Sequence, residues 1–480
     1  MRKLWFSVFV AIFIVCTARA EADSIAEHPG VASGIGLFEA WVESQMEYRD
    51  LPGMSVGIVH DQELVWSRGF GFADRDKKIP AAPSTIYRIA SISKLFTSTS
   101  IMKLRDEGKL RLDDPVEEHL PWFNIKNTFP EAPVITIRHL LTHTSGLPRE
   151  AAFPYWTDFA FPTREQIIET LPGQETVYPP ETKWKYSNLA LSLAGEIVQA
   201  VSGKPYEEYV HENILEPLGM TSTSVTIGRE HMKRLAVGYG RRMPDNSRGI
   251  MPFTDSKGIT PAANLSSTVE DFARFAAWQF RLRESGAREI LKAGTLGEMH
   301  RVHWLKPDWE SGWGLGFSVT HTPEGDLVGH GGHVGGYRTQ ISLSPEKKIA
   351  VIVLTNADDG DPGMYIDMAF KLIAPAVTKA VSSLPGAGEA PREWNRYVGK
   401  YRDMWGDSRV LIYNGKLVMI YPTDSDPSAS MLTLVPVSGN TFRIEGKGYG
   451  DLGEPVVFEL SPDNQVVRMK VGENYIYPME

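Results

Sequence analysis

A large α/β domain interrupted by a helical insertion, and a small all-β barrel behind it, is the architecture that this 480-residue sequence predicts. Three observations carry the expectation. Two alternating strands come early, in GMSVGIVHDQELVWSRGFGFA (53–73), around a polar turn at Asp61-Gln62. Strand patterns return only far downstream, in DLVGHGG, GGYRTQISLS and KKIAVIVLTN, after helical periodicity over about 84–300. The last ninety or so residues read almost entirely as strands and tight turns. A chain of this length suits two or three domains, and 42% hydrophobic against 23% charged residues is enough apolar material for a large core.

The N-terminus stands apart. Arg2 and Lys3 precede the thirteen-residue apolar run LWFSVFVAIFIVC, and Ala18-Arg19-Ala20 places small residues where a signal peptidase reads. Residues 1–20 are therefore expected to be a signal peptide, and the protein periplasmic or secreted. The run is short of the ~20 apolar residues of a membrane span, so no span is expected after cleavage. Cys16 is the single cysteine, and its removal leaves no thiol chemistry or cysteine metal site. The formal charge is already −9 and becomes more negative without Arg2, Lys3 and Arg19, which argues against nucleic acid as a partner.

The first domain is expected over 21–381. SNLALSLAGEIVQAVSG (187–203) has apolar residues at helical spacing and ends on Gly203. A helix near 362–380 closes the domain. SSLPGAGEAPRE (382–393) is a linker by composition, and 394–480 forms an antiparallel barrel or sandwich with an Asn414-Gly415 hairpin signal.

Ser-x-x-Lys occurs at Ser91/Lys94, Ser100/Lys103 and Ser344/Lys347. Ser344 precedes a proline turn. Ser100 falls inside a helix, where a serine bonds its own backbone. Ser91 follows the extended segment STIYRI and opens a helix, with Lys94 one turn away on the same face and free N–H groups at hand. It reads equally well as a nucleophile or a helix cap. Gly53-Met54-Ser55-Val56-Gly57 matches G-x-S-x-G, but strand residues follow Ser55 where a nucleophile elbow needs a helix. His139 and His143 have the spacing of a zinc pair, yet Leu140 stands where the catalytic glutamate belongs, and a packed, hydrogen-bonded pair is expected.

Ser91-x-x-Lys94, Tyr186-Ser187-Asn188 and His330-Gly331-Gly332 together resemble the three motifs of the penicillin-recognising serine hydrolases, in particular the class C β-lactamase branch. LRDEGKLRLDDPVEEHLP, ITIRHLLTHTSGLP, PAANLSSTVEDFARFA and VIVLTN extend the likeness over about 35–380. The C-terminal segment opening YVGKYRD resembles the lipocalin-like barrels of some D-aminopeptidase and esterase relatives. The resemblance implies a β-lactamase-like antiparallel sheet flanked by helices, Ser91 as acylated nucleophile, and Lys94 with Tyr186 as its bases. It implies that Asn188 holds Lys94 and touches the substrate amide, with His330 and Gly332 lining the substrate and the N–H groups of Ser91 and His333 binding the oxyanion. No metal or organic cofactor is implied. Relatives with such barrels oligomerise, so a homo-oligomer is an expectation.

Three departures shape the function. His-Gly-Gly replaces Lys-Thr-Gly, and a histidine is only partly charged near neutral pH, which weakens carboxylate attraction unless Arg338 faces the site. Pro179-Pro180-Glu181 replaces Pro-Gly before Tyr186 and is expected to reshape the rim. FPYWTDFAFP (153–162) and Trp304, Trp309 and Trp313 suit an apolar acyl group or a peptide. The expected activity is hydrolysis of carboxylic esters or small, D-amino-acid-containing peptides. The alternatives are a DD-carboxypeptidase or β-lactamase, and a non-catalytic peptidoglycan-binding protein.

Overall fold

A computed structural model of the chain describes residues 25–383, 390–413, 415–421, 423, 430–446 and 452–479. The expected signal peptide, the centre of the expected linker and Asn414 lie outside the described residues. The chain divides into two compact units between Ala376 and Val377.

The first unit is built on a nine-stranded antiparallel sheet. Its spatial order is Ile79–Pro80, Glu63–Asp74, Gly53–His60, Ile349–Thr355, Tyr337–Ser344, Gly325–Val334, Ser318–Thr322, Ser311–Trp313 and Trp304–Leu305. An early strand thus pairs with one near the end of the unit, with Val56 opposite Val353. Alternation sorts the two faces. Gly57 turns toward the helix Val269–Ser285, and a Cβ there would sit 2.3 Å from Val269 Cγ1, so glycine admits the helix at contact distance. Ile58 is paired with Trp66, which meets Phe38 of the helix Pro29–Arg49 edge to face on the other side. The expected closing helix is Pro362–Leu372, and the next helix, Ala374–Ser383, spans the division between the two units.

The insertion carries the helix Ser93–Asp106, buried without interruption from Ser93 to Met102. It packs against the helices Asn188–Ser202 and Thr260–Ala263, and Phe96 stacks on Phe275 with centroids 4.9 Å apart. Most of its hydroxyls survive burial by bonding the backbone, Ser93 donating to Ala90 O at 2.6 Å and Ser100 to Phe96 O at 2.9 Å, whereas Ser98 Oγ has no partner among the described residues. Ser55 is mid-strand, with its hydroxyl on Ala82 O at 2.8 Å and beside Tyr87 OH at 2.9 Å.

The second unit is a closed barrel of eight strands in sequence order, from Gly399–Arg402 to Asn474–Pro478, shut by pairing of Tyr401 with Pro478. Closure leaves no free edge. Tyr397, Tyr401, Phe442 and Phe458 fill its interior, with Tyr397 stacked on Phe458 at 4.4 Å. Among the described residues no helix is long and apolar enough to cross a membrane.

Candidate active site

Ser91 lies in a single 3-10 turn, Ala90–Ile92, between the short strand Tyr87–Arg88 and the helix beginning at Ser93. Ala90 has φ 48°, a left-handed conformation that a non-glycine residue adopts at a cost, and it sharpens the turn that presents Ser91. Lys94 follows one turn on and is fully buried. Its Nζ lies 3.0 Å from Ser91 Oγ, 2.8 Å from Asn188 Oδ1 and 2.8 Å from Ala262 O. Burial pushes the ammonium well below the ordinary lysine range; Glu150 opposes that shift and Arg149 reinforces it. In the neutral amine two hydrogens serve Asn188 and Ala262, and the lone pair faces the Ser91 hydroxyl.

The sequence places Tyr186 just before a capped helix. Ser187 Oγ accepts from Ala190 N at 2.9 Å, which starts the helix, and Gly203 ends it in the left-handed conformation. Tyr186 hydrogen-bonds Ser91, and burial drives the phenol pKa upward, so it is protonated at neutral pH. Lys94 Nζ lies over its ring at 4.8 Å and the Arg149 guanidinium at 5.1 Å.

Asn188 has both ends of its amide engaged within the protein. Its oxygen takes Lys94, and its nitrogen lies 2.8 and 3.0 Å from the Glu150 carboxylate oxygens. Asn188 thus holds Lys94 while also bordering the cleft. Glu150 also accepts from Tyr155 OH and from Arg149 Nε at 3.1 Å. Glu150, Arg149 and the Ala262 carbonyl were not singled out in the sequence, because Glu150 and Asn188 stand 38 residues apart.

The third motif edges the strand Gly325–Val334. A Cβ on Gly332 would come within 2.1 Å of Ile89 O, so the missing side chain is what lets this strand lie against the turn carrying Ser91. His330 Nδ1 bonds Gly331 O at 2.5 Å, and its buried Nε2 has no partner. Burial first, then the Lys94 charge, lowers its pKa to about 3. The partial charge expected of His330 near neutral pH is thus absent: the ring is neutral, with its proton on Nδ1 and a lone pair on Nε2. His333 is half exposed and its Nε2 lies 3.3 Å from Asp358.

His139 and His143 are both packed and hydrogen-bonded, as expected, but to different partners and not to each other. His143 has φ 58°, so the chain leaves the helix there and the i,i+4 face is broken. His139 Nε2 reaches Glu181 at 3.1 Å, whereas His143 Nδ1 accepts from Ser187 N at 3.2 Å and its ring lies 4.3 Å from that of Tyr186. Burial and the nearby charge of Lys94 push His143 well below its usual pKa.

Ser91, Tyr186, Asn188, His330, Gly332 and His333 line one cleft of about 910 Å³. Trp156, Phe159, Trp184 and Trp313 supply its aromatic wall. Trp304 and Trp309 do not border it, nor do Pro179, Pro180 and Glu181. Arg338 does face it, with a buried Nε that has no hydrogen-bond partner, and it forms no ion pair among the described residues.

A family model described as Beta-lactamase matches residues 38–374. Protein flp of Staphylococcus aureus is 29% identical over 324 residues, spanning 66% of this chain and 61% of its own length. Beta-lactamase-like protein 2 of Dictyostelium discoideum is 28% identical over 73% of this chain and 64% of its own. The chain thus spans less than two thirds of these curated relatives. The octameric penicillin-binding protein homologue from Pyrococcus abyssi superposes with a TM-score of 0.63 at 29% identity, over 92% of this chain and 99% of that one. The beta-lactamase/D-alanine carboxypeptidase from Yersinia pestis does so at 0.60 and 25%, over 71% of this chain and 99% of that one.

Proposed function

The chain belongs to the beta-lactamase family, and from that premise we propose that it is a serine hydrolase of carboxylic esters or small peptides, D-amino-acid-containing ones included, working through an acyl-enzyme on Ser91. The observation that carries the reading is the placing of Lys94 Nζ 3.0 Å from Ser91 Oγ, in a site where burial favours the neutral amine.

Ser91 Oγ attacks the carbonyl carbon while its proton passes to Lys94. The carbonyl electron pair moves onto oxygen, held by the backbone N–H groups of Ser91 and His333. Collapse expels the alcohol or amine, which takes a proton from Lys94 by way of Tyr186. Water then attacks the acyl ester, gives a proton back along the same path, and frees the acid and Ser91. His330, neutral and with Nε2 unprotonated, offers a hydrogen-bond acceptor in place of a cation, which favours substrates with an N–H or O–H at that point.

One observation favours a second reading within the same chemistry. Arg338 is an unpaired guanidinium in the cleft, suited to a substrate carboxylate such as that of a DD-carboxypeptidase or β-lactamase substrate. A non-catalytic peptidoglycan-binding protein is disfavoured because such a protein has no need of a buried Lys94 fixed by two acceptors with Ser91 as its third partner. The proposal includes export directed by residues 1–20 and, from the octameric homologue, assembly of copies; N-terminal sequencing and light scattering check these.

Hydrolysis of p-nitrophenyl butyrate by the protein and by Ser91→Ala tests the reading. Turnover lost in the variant supports it, and equal turnover overturns it. Acyl substrates with and without a free carboxylate then separate the two readings.

A further inference from the structure

A cavity of about 490 Å³ opens beside the strand Tyr87–Arg88 that leads into Ser91, and Arg88 lines it. Arg88 is 2% exposed, and its two Nη groups are spent on Thr254, Ser256 and Asn264, while the buried Nε hydrogen finds no acceptor. Among the described residues neither Arg88 nor Arg234, which also lines the cavity, forms an ion pair. Asp255 favours the Arg88 charge only from a distance and forms no ion pair with it, so burial of the guanidinium remains costly, and an anion held beside it relieves that cost. The acid at the cavity, Asp74, is neutralised by Lys77 at 2.8 Å. The lips are of the opposite character: Ile79, Met232 and Phe253 are 46%, 40% and 47% exposed, and Phe253 lies against the Arg88 guanidinium at 5.1 Å.

We propose that this cavity binds an organic anion with an apolar tail, its carboxylate drawn to Arg88 and Arg234 and its tail laid against Phe253, Met232 and Ile79. The site is separate from the catalytic cleft, with Met251 bordering both. It is coupled to the cleft through Arg88, whose Nη2 donates to Asn264 at 2.9 Å, next to the helix whose Ala262 carbonyl holds Lys94. Neither its occupant nor its existence depends on the activity of Ser91.

Calorimetric titration of the protein with octanoate at fixed ionic strength tests the proposal. One saturable site is expected, with phosphate and the neutral octyl glucoside each binding at least tenfold more weakly. Arg234→Gln and Phe253→Ser should each weaken octanoate at least fivefold without altering ester turnover, since neither residue borders the cleft. Arg338→Ala should leave the octanoate affinity unchanged. Absence of saturable binding overturns the proposal. So does loss on Arg338→Ala with retention in Arg234→Gln, which would put the ligand in the catalytic cleft, and so does phosphate binding as tightly as octanoate.

Discussion

Glu150 holds the amide nitrogen of Asn188 with both carboxylate oxygens, at 2.8 and 3.0 Å, and so turns the amide oxygen onto Lys94 Nζ. A carboxylate only accepts, so it allows the amide one orientation. The lysine is held in turn, aimed at Ser91 by acceptors on Asn188 and Ala262.

Glu150→Gln should therefore reduce turnover while leaving the fold intact. A glutamine can donate to the amide oxygen and lets Asn188 flip its nitrogen toward Lys94. Losing a charge-assisted hydrogen bond worth about 1.5–3 kcal/mol corresponds to about a 10- to 100-fold fall in kcat, with KM little changed. Steady-state kinetics beside a melting curve separates this from simple destabilisation.

Lys94→Arg should abolish turnover as fully as Ser91→Ala, with a loss of at least about 10³-fold, because a guanidinium does not surrender its proton near neutral pH. The variant fixes a permanent positive charge where the parent has a neutral amine, so surviving activity would mean that proton transfer is not what the lysine contributes. Burst titration with an activated ester reads acylation directly.

The sheet, the insertion and the barrel were legible because each rests on local signals: period-two runs, a capped helix ending at Gly203, and turn-rich spacing after residue 393. Ser91, Lys94, Tyr186 and His330 could be found by motif and order. What the sequence hid were relations set by burial and by long-range closure. His330 is neutral only because it is buried beside Lys94, and composition carries no trace of that. His143 joined the site because a left-handed residue ended its helix, which spacing alone read as a histidine pair. Glu150 reaches Asn188 through a loop with no periodicity to betray it.

His300 should make the protein acid-sensitive. It is fully buried, its Nε2 lies 2.9 Å from Gln279 Oε1, and burial lowers its pKa to about 3. Below the unfolded value of about 6.5 the unfolded chain binds a proton that the folded one refuses, so stability falls as pH drops toward 3. The slope is about 1.4 kcal/mol per pH unit for one such group. His300→Gln removes this contribution, so denaturant midpoints measured from pH 7 to 4 should fall less steeply than in the parent. An unchanged slope would show that His300 is protonated in the folded state.

The acid limb of the pH–rate profile should belong to Lys94 and not to His330. The reaction needs the neutral amine, so activity rises as pH passes upward through the lysine pKa. His330 protonates only near pH 3 and is neutral at higher pH. His330→Gln should then leave the limb where it is and change mainly KM, since the acceptor lost serves the substrate. His330→Lys should behave differently. A like charge beside Lys94 disfavours its ammonium, so the limb should move to lower pH. The same cation should raise kcat/KM for carboxylate-bearing substrates relative to p-nitrophenyl butyrate. Profiles of kcat/KM against pH for the three proteins decide the matter: a limb that vanishes in His330→Gln would make the histidine the titrating base and Lys94 a bystander.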